Sequence, residues 1–212
     1  MRTLPFSRLS RLNRMTLLLI GALLMAAGLA FLVSRSPARQ AASVQPQSDN
    51  PVITVAQLRT IGQLAQGFSF GSRLNPNVVY VFFDPKCPHC RHLWEHIQPL
   101  AARAHFVWIP IGLLGPDSTT QAEAILGADD PVAAMNVNER DHAISGENAP
   151  GLTPTAAQSA RWAAAVARNT SLLASLGVRG VPFMVREDRT GHVLTVLGDP
   201  QKNYLGLFLP AP

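Results

Sequence analysis

Cysteine is scarce in this chain: two residues in 212. A scaffold stapled by several disulfides is excluded at once. Acidic residues are missing from the first 39 positions, which hold Arg2, Arg8, Arg11, Arg14, Arg35 and Arg39. Charge of either sign is missing from residues 16–33. Those six arginines account for the whole basic excess. The full chain is +5, whereas the part after residue 39 keeps 12 of 18 basic groups against 13 acidic ones, a net charge of −1. A basic domain of the kind that holds nucleic acid is therefore absent, and no nucleic-acid partner is expected.

The uncharged run is just long enough to cross a bilayer as a helix. Four arginines precede it and two follow, which orients the N-terminus inward. This reading gives a cytoplasmic basic segment at 1–15, a transmembrane signal anchor at 16–33 and a Ser-, Pro-, Ala- and Gln-rich linker at 34–54. The rival is a cleaved signal peptide with Gly28-Leu29-Ala30 near its processing site. The long leading segment and long apolar run favour the anchor. Both readings export residues 55–212 to a space where disulfides persist. The expected location is the inner membrane, single-pass, with the domain in the periplasm; the alternative is a soluble periplasmic protein.

Both cysteines lie in one stretch, Phe82-Phe83-Asp84-Pro85-Lys86-Cys87-Pro88-His89-Cys90. It follows a strand-like run, 78–83, and precedes a helix-like run, 91–104. A Cys-x-x-Cys where a strand passes into a helix is the thioredoxin-like redox signature. The chemistry accounts for the position. A thiolate, not a thiol, attacks a disulfide, and a helix N-terminus favours negative charge. Pro88 falls in the first turn, where its missing N–H costs nothing. Cys87 reads as the exposed attacking thiol and Cys90 as the resolving one. His89 places positive charge beside the thiolate, which favours the reduced form and makes the disulfide more oxidising. Three other readings compete. A purely structural disulfide ignores the placement before a helix. A zinc site would use Cys87, Cys90, His92 and His96. Attachment of c-type haem needs His after the second cysteine, and Arg91 stands there. No metal and no organic cofactor is expected beyond the Cys87–Cys90 redox pair.

The rest reads as a small α/β domain. Residues 55–66 have helical spacing, 68–70 a short strand, and 77–83 a central strand apolar on both faces. The helix after the cysteines buries Leu93, Trp94, Ile97, Leu100, Ala101 and Ala104, with a kink at Pro99. A second strand spans 105–112. Residues 113–176 form a helical insertion. In it, Ser118-Thr119-Thr120-Gln121 is a capping box for a helix ending at Gly127, and Asp130-Pro131 opens another. Residues 136–152 read as a polar mobile loop, and a long helix runs from Thr153-Pro154 to Leu176. Gly180-Val181-Pro182 then leads into a third strand, with a hairpin partner at 192–197 and a short helix at 200–209. In thioredoxin-like proteins a proline at this point, before the third strand, is cis and lies against the cysteine pair. That resemblance implies the same of Pro182, which would leave the Val181 backbone to bind an extended client peptide; the alternative is an ordinary trans loop proline.

From about residue 77 onward the chain resembles the catalytic domain of the DsbC/DsbG-type thiol:disulfide interchange proteins, most of all the DsbG branch. The residues that carry it are Phe82 to Cys90, Trp94, Pro99, Ile111-Gly112, Pro116-Asp117, Ala124-Ile125-Leu126, Asp130-Pro131 and Gly180-Val181-Pro182. The resemblance implies a thioredoxin-like fold with an inserted helical subdomain and an extracytoplasmic redox role. Three departures matter. Residues 34–76 are too short for the family's N-terminal dimerisation domain. Val181 replaces the frequent Thr, and Pro88-His89 is the DsbA-type dipeptide. Val81 stands where thioredoxin and DsbA keep a buried acid, as in the DsbC/DsbG group, so the proton acceptor for Cys90 is open between water and Asp84. The expected function is membrane-anchored oxidising exchange on exported proteins with thiols or disulfides, recycled by a Dsb-type membrane redox partner. The alternatives are an isomerase or reductase kept reduced by a membrane electron donor, and a non-catalytic metal- or peptide-binding module.

Overall fold

The computed structural model describes residues 50–146, 149–200 and 202–209. The basic segment, the apolar run and most of the linker lie outside the described residues. Among the described residues no helix is long and apolar enough to cross a membrane.

β2 (Val78–Phe83), covered on both faces, organises the domain. Val79, Val81 and Phe83 join one core, while Phe82 and the half-buried Tyr80 join the other. A strand apolar on both faces needs cover on both, and receives it. Helix α2 (Pro88–Ile97), which follows the cysteine motif, covers the first face with Leu93, Trp94 and Ile97. Helix α1 (Val55–Leu64) covers the second with Leu58 and Ile61. The sheet order is β1 (Phe68–Gly71), β3 (His105–Pro110), β2, β4 (Phe183–Glu187), β5 (Val193–Leu197). β2 pairs in parallel with β3; the β1–β3, β2–β4 and β4–β5 pairs are antiparallel. The central place of β2 and the β4–β5 hairpin are as the sequence pattern implied. Three helices stand between β3 and β4: α3 (Pro116–Gly127), α4 (Pro131–Ser145) and α5 (Ala156–Ser175). Helix α6 (Lys202–Phe208) closes the chain. This is a mixed α/β, thioredoxin-like arrangement with a helical insertion.

Three local expectations are corrected. The helix after the cysteines does not run, kinked, to Ala104. It stops at Ile97, and residues Gln98–Arg103 are a 3₁₀ helix. Pro99 has no N–H for the preceding turn and its ring crowds it, so the backbone tightens instead of bending. Helix α3 begins at Pro116, with Gly115 as its cap at φ 114. Ser118, expected as a cap, is buried within it. The largest correction concerns 136–152, read as a mobile loop. Helix α4 continues to Ser145 and ends at Gly146 with φ 61. Its buried stripe is Met135, Asn138, Glu139 and His142. The spacing is helical, but three of the four residues are polar, so the stripe reads as solvated. Asp130 caps the start of α4, accepting from the N–H groups of Val132 and Ala133 at 3.0 Å each.

Candidate active site

The site forms where β2 ends. Asp84 leaves the strand fully buried, and its carboxylate accepts three backbone hydrogen bonds: from Lys86 N at 2.9 Å, Leu113 N at 2.7 Å and Leu114 N at 2.9 Å. It thus ties the cysteine loop to the segment after β3. The Asp84 carbonyl also accepts from Cys87 N at 3.0 Å. These bonds set Cys87 as the N-cap of α2, with Pro88 at the first helical position. The Cys87 carbonyl accepts from Cys90 N at 3.0 Å and Arg91 N at 3.2 Å, which starts the helix.

Both cysteines are free thiols. Cys87 is less open than its expected role suggested: it is 8% exposed, and Cys90 is 0% exposed. The two differ sharply in acidity. The Cys87 pKa is lowered to about 6. The hydrogen bond from the Cys90 thiol is the largest cause; desolvation opposes it, and the N–H groups of Cys90 and His89 and the His89 charge add to it. Burial, first, and the neighbouring Cys87 push the Cys90 thiol well above its ordinary value. One sulfur is therefore a thiolate near neutral pH and the other is not.

The Val181–Pro182 peptide bond is cis. The Val181 carbonyl lies 3.6 Å from Cys87 Sγ. Its N–H has no hydrogen-bond partner among the described residues. Cys87, Cys90, Asp84, Pro88, Val181 and Pro182 are thus gathered at one place, with the exposed His89 at its rim. His92 and His96, drawn with the cysteines in the zinc reading, turn elsewhere: their Nδ1 atoms lie 3.8 and 3.3 Å from the Asp199 carboxylate.

A cavity of about 90 Å³ opens beside Cys87, bounded by Pro85, Lys86, Arg91, Glu139 and His142 among others. Asn138 and Glu139 were missed by sequence reasoning. Asn138 donates to the Pro85 carbonyl at 3.0 Å and to Glu139 Oε1 at 3.3 Å, which docks α4 on the cysteine loop. Desolvation, above all, raises the Glu139 pKa to about 8. Arg91 and Asn138 oppose that shift, while Cys87 and Glu95 add to it. The legible signal was the Asp130-Pro131 start alone; Met135, Asn138, Glu139 and His142 fit one helix face, but with three of the four polar their spacing does not mark that face as buried.

No protein-family model matches the chain. Over 136 residues it is 32% identical to the thiol:disulfide interchange protein DsbG of Pseudomonas aeruginosa, covering 63% of this chain and 51% of that one. It is 25% identical over 141 residues to the DsbG of Escherichia coli, covering 66% and 55%. The chain thus spans about half the length of these relatives. Among solved structures, the catalytic domain of Proteus mirabilis ScsC superposes with a TM-score of 0.54 at 17% identity, covering 73% of this chain and 96% of that one. The thiol-disulfide exchange protein α-DsbA2 of Wolbachia pipientis superposes at 0.53 and 14% identity, covering 72% and 92%. The thioredoxin-like fold and the resemblance to DsbC/DsbG-type interchange proteins are both borne out.

Proposed function

We propose that this chain is an extracytoplasmic, membrane-anchored thiol:disulfide oxidoreductase that exchanges disulfides with exported proteins through Cys87 and Cys90, in the oxidising direction. The observation that carries this reading is the split acidity of the pair. Cys87 caps α2 with a pKa of about 6, and Cys90 is buried behind it with its pKa raised.

The split defines the chemistry. A client thiolate attacks Cys87 Sγ of the disulfide; the client–Cys87 bond forms, the Cys87–Cys90 bond breaks, and Cys90 takes up a proton. A second client thiolate then attacks the client sulfur of this mixed disulfide. The client disulfide forms and Cys87 leaves as a thiolate, which at a pKa of about 6 needs no proton at neutral pH. Two electrons pass from the client to the pair, so neither metal nor organic cofactor is required. A good leaving thiolate at Cys87 stabilises the reduced protein and makes the disulfide an oxidant. The Val181 backbone supports client binding, since its N–H, beside Cys87, has no partner among the described residues and an extended peptide can add to it as a strand. Pro88, His89 and Asp84 set the acidity and position of the loop; Asp84 does so through its backbone bonds, which commit its oxygens and favour water as the acceptor for the Cys90 proton. The arginine-flanked apolar run at 16–33 supplies the anchor, and a Dsb-type membrane partner reoxidises the pair.

One observation favours a second reading. The sequence relatives are named DsbG, not DsbA, which suits an isomerase or reductase held in the dithiol state. Cys90→Ala in cells tests the common core of both. It should trap client proteins as mixed disulfides through Cys87, and Cys87→Ser should trap none. If Cys90→Ala traps nothing while the purified protein carries stoichiometric zinc or copper, a metal-binding module replaces the enzyme.

A further inference from the structure

Glu139 is an anomaly that disulfide exchange, as described so far, does not use. It is only 5% exposed, yet it sits at the cavity beside Cys87. Its Oε1 accepts from Asn138, while Oε2 is buried with no hydrogen-bond partner among the described residues. A half-satisfied buried carboxyl weakens a fold. Cys87 aside, the other titratable side chains described at this cavity are engaged. Lys86 Nζ pairs with Asp117 at 3.3 Å, and Arg91 pairs with Glu95 at 3.6 Å. His142 uses both nitrogens, on the Gly146 carbonyl and on Gln121 Oε1, at 3.1 Å each.

We propose that Glu139 exchanges protons with the client sulfur at Cys87: its carboxyl protonates the thiolate expelled when Cys87 attacks a client disulfide, and its carboxylate takes that proton back from the client thiol in the reverse step. This deepens the disulfide-exchange reading and rests on it. In the reductive direction the Cys87 thiolate attacks one client sulfur and a Cys87–client bond forms. The client S–S bond breaks, and the departing thiolate takes the Glu139 proton. The carboxylate is reprotonated from water at the cavity mouth. In the oxidative direction the carboxylate removes the proton of the second client thiol as that sulfur expels Cys87.

The energetics fit. An ordinary carboxyl, near pKa 4.3, is ionised at neutral pH and cannot donate; it is also about four units too weak a base to accept a thiol proton. At about 8, Glu139 is close to the value of about 8.5 for a free cysteine, so transfer either way is nearly thermoneutral. Among the described residues, the groups facing it are Cys87, Lys86, Arg91 and Glu95 from the cysteine loop and α2, and Asn138 and His142 on its own helix. The Cys87 charge is among those that raise its pKa. A mixed disulfide removes that charge, so the carboxylate gains population when a base is needed.

Leaving-group dependence tests this in the full-length chain. The probes are glutathione disulfide, whose departing thiolate is basic; dithiobis(nitrobenzoate), whose departing thiolate is stable without a proton; and iodoacetamide, which expels iodide. In Glu139→Gln at pH 7, the rate with glutathione disulfide should fall about ten-fold or more, and the other two rates should stay within about two-fold. In the unmodified chain, the ratio of the glutathione-disulfide rate to the dithiobis(nitrobenzoate) rate should drop as pH rises past about 8, the pKa of Glu139. An equal loss with all three probes, no loss with any, or a flat ratio across pH 8 overturns the proposal. If iodoacetamide reacts at Cys87 of the unmodified chain but neither disulfide does, the exchange reading itself falls.

Discussion

The Cys90 thiol donates to Cys87 Sγ, and this bond holds the Cys87 pKa down more than the His89 charge does. Cys90→Ala should therefore raise the Cys87 pKa, read from thiolate absorbance against pH, and His89→Ala should raise it less. The reverse order would return the main role to His89, the residue the sequence pointed to. Cys87 and Glu139 also shape stability against pH, with opposite signs. Cys87 titrates lower in the folded dithiol protein than in the unfolded chain, about 6 against about 8.5. Its contribution is complete above pH 8.5 and is lost as pH falls through 6. Glu139 titrates higher when folded, about 8 against 4.5. Its contribution is complete below pH 4.5 and is lost as pH rises through 8. Between pH 6 and 8 the two slopes cancel, so the reduced protein should show nearly constant stability in urea. Glu139→Gln should expose the Cys87 slope, a gain of about 1.4 kcal/mol per pH unit over that range. A variant as flat as the parent would contradict both assignments.

Two elements meet at the cysteine loop, and buried polar groups hold them there. Asp84 gathers the N–H groups of Lys86, Leu113 and Leu114; Asn138 fastens α4 to Pro85. Asp84→Ala leaves three backbone donors without their acceptor. At about 1–3 kcal/mol for each buried orphan, less whatever water recovers, a loss of about 3 kcal/mol is expected in urea denaturation, with faster amide exchange at Leu113 and Leu114. A loss under about 1 kcal/mol would mean that the loop is held by other contacts. The sequence made the apolar elements legible. β2 announced itself by a β-branched and aromatic run, α2 by a proline after its cap, and α5 by length, although α5 starts at Ala156 behind the Thr155 cap and its Thr155–Gln158 capping box, at 3.2 and 2.7 Å, and not at the expected Thr153-Pro154. Helix α4 was illegible because its core-facing stripe is Asn138, Glu139 and His142, whose burial depends on partners from distant segments: Pro85 and Gln121. Periodicity of hydrophobicity cannot register a polar stripe that packs. Half of the candidate site was legible for the same reason: cysteines and prolines carry local signatures, and a glutamate supplied by a distant helix does not.

For the molecule as a whole, the proposed export and the proposed redox poise go together. The proposed anchor at 16–33 predicts that a reporter active only outside the cytoplasm will be active when fused at the C-terminus, and that the protein will stay with membranes through a salt wash. A soluble form beginning near Phe31 would identify a cleaved signal instead. The direction of electron flow is the central claim, and it follows from the acidity of Cys87. Equilibrium of the full-length chain with defined ratios of reduced and oxidised glutathione, read by alkylation of Cys87 and Cys90, tests it most directly. A single two-electron transition is predicted at a potential above about −200 mV, absent from Cys87→Ser. A transition near about −270 mV, the value for thioredoxin, would contradict the account.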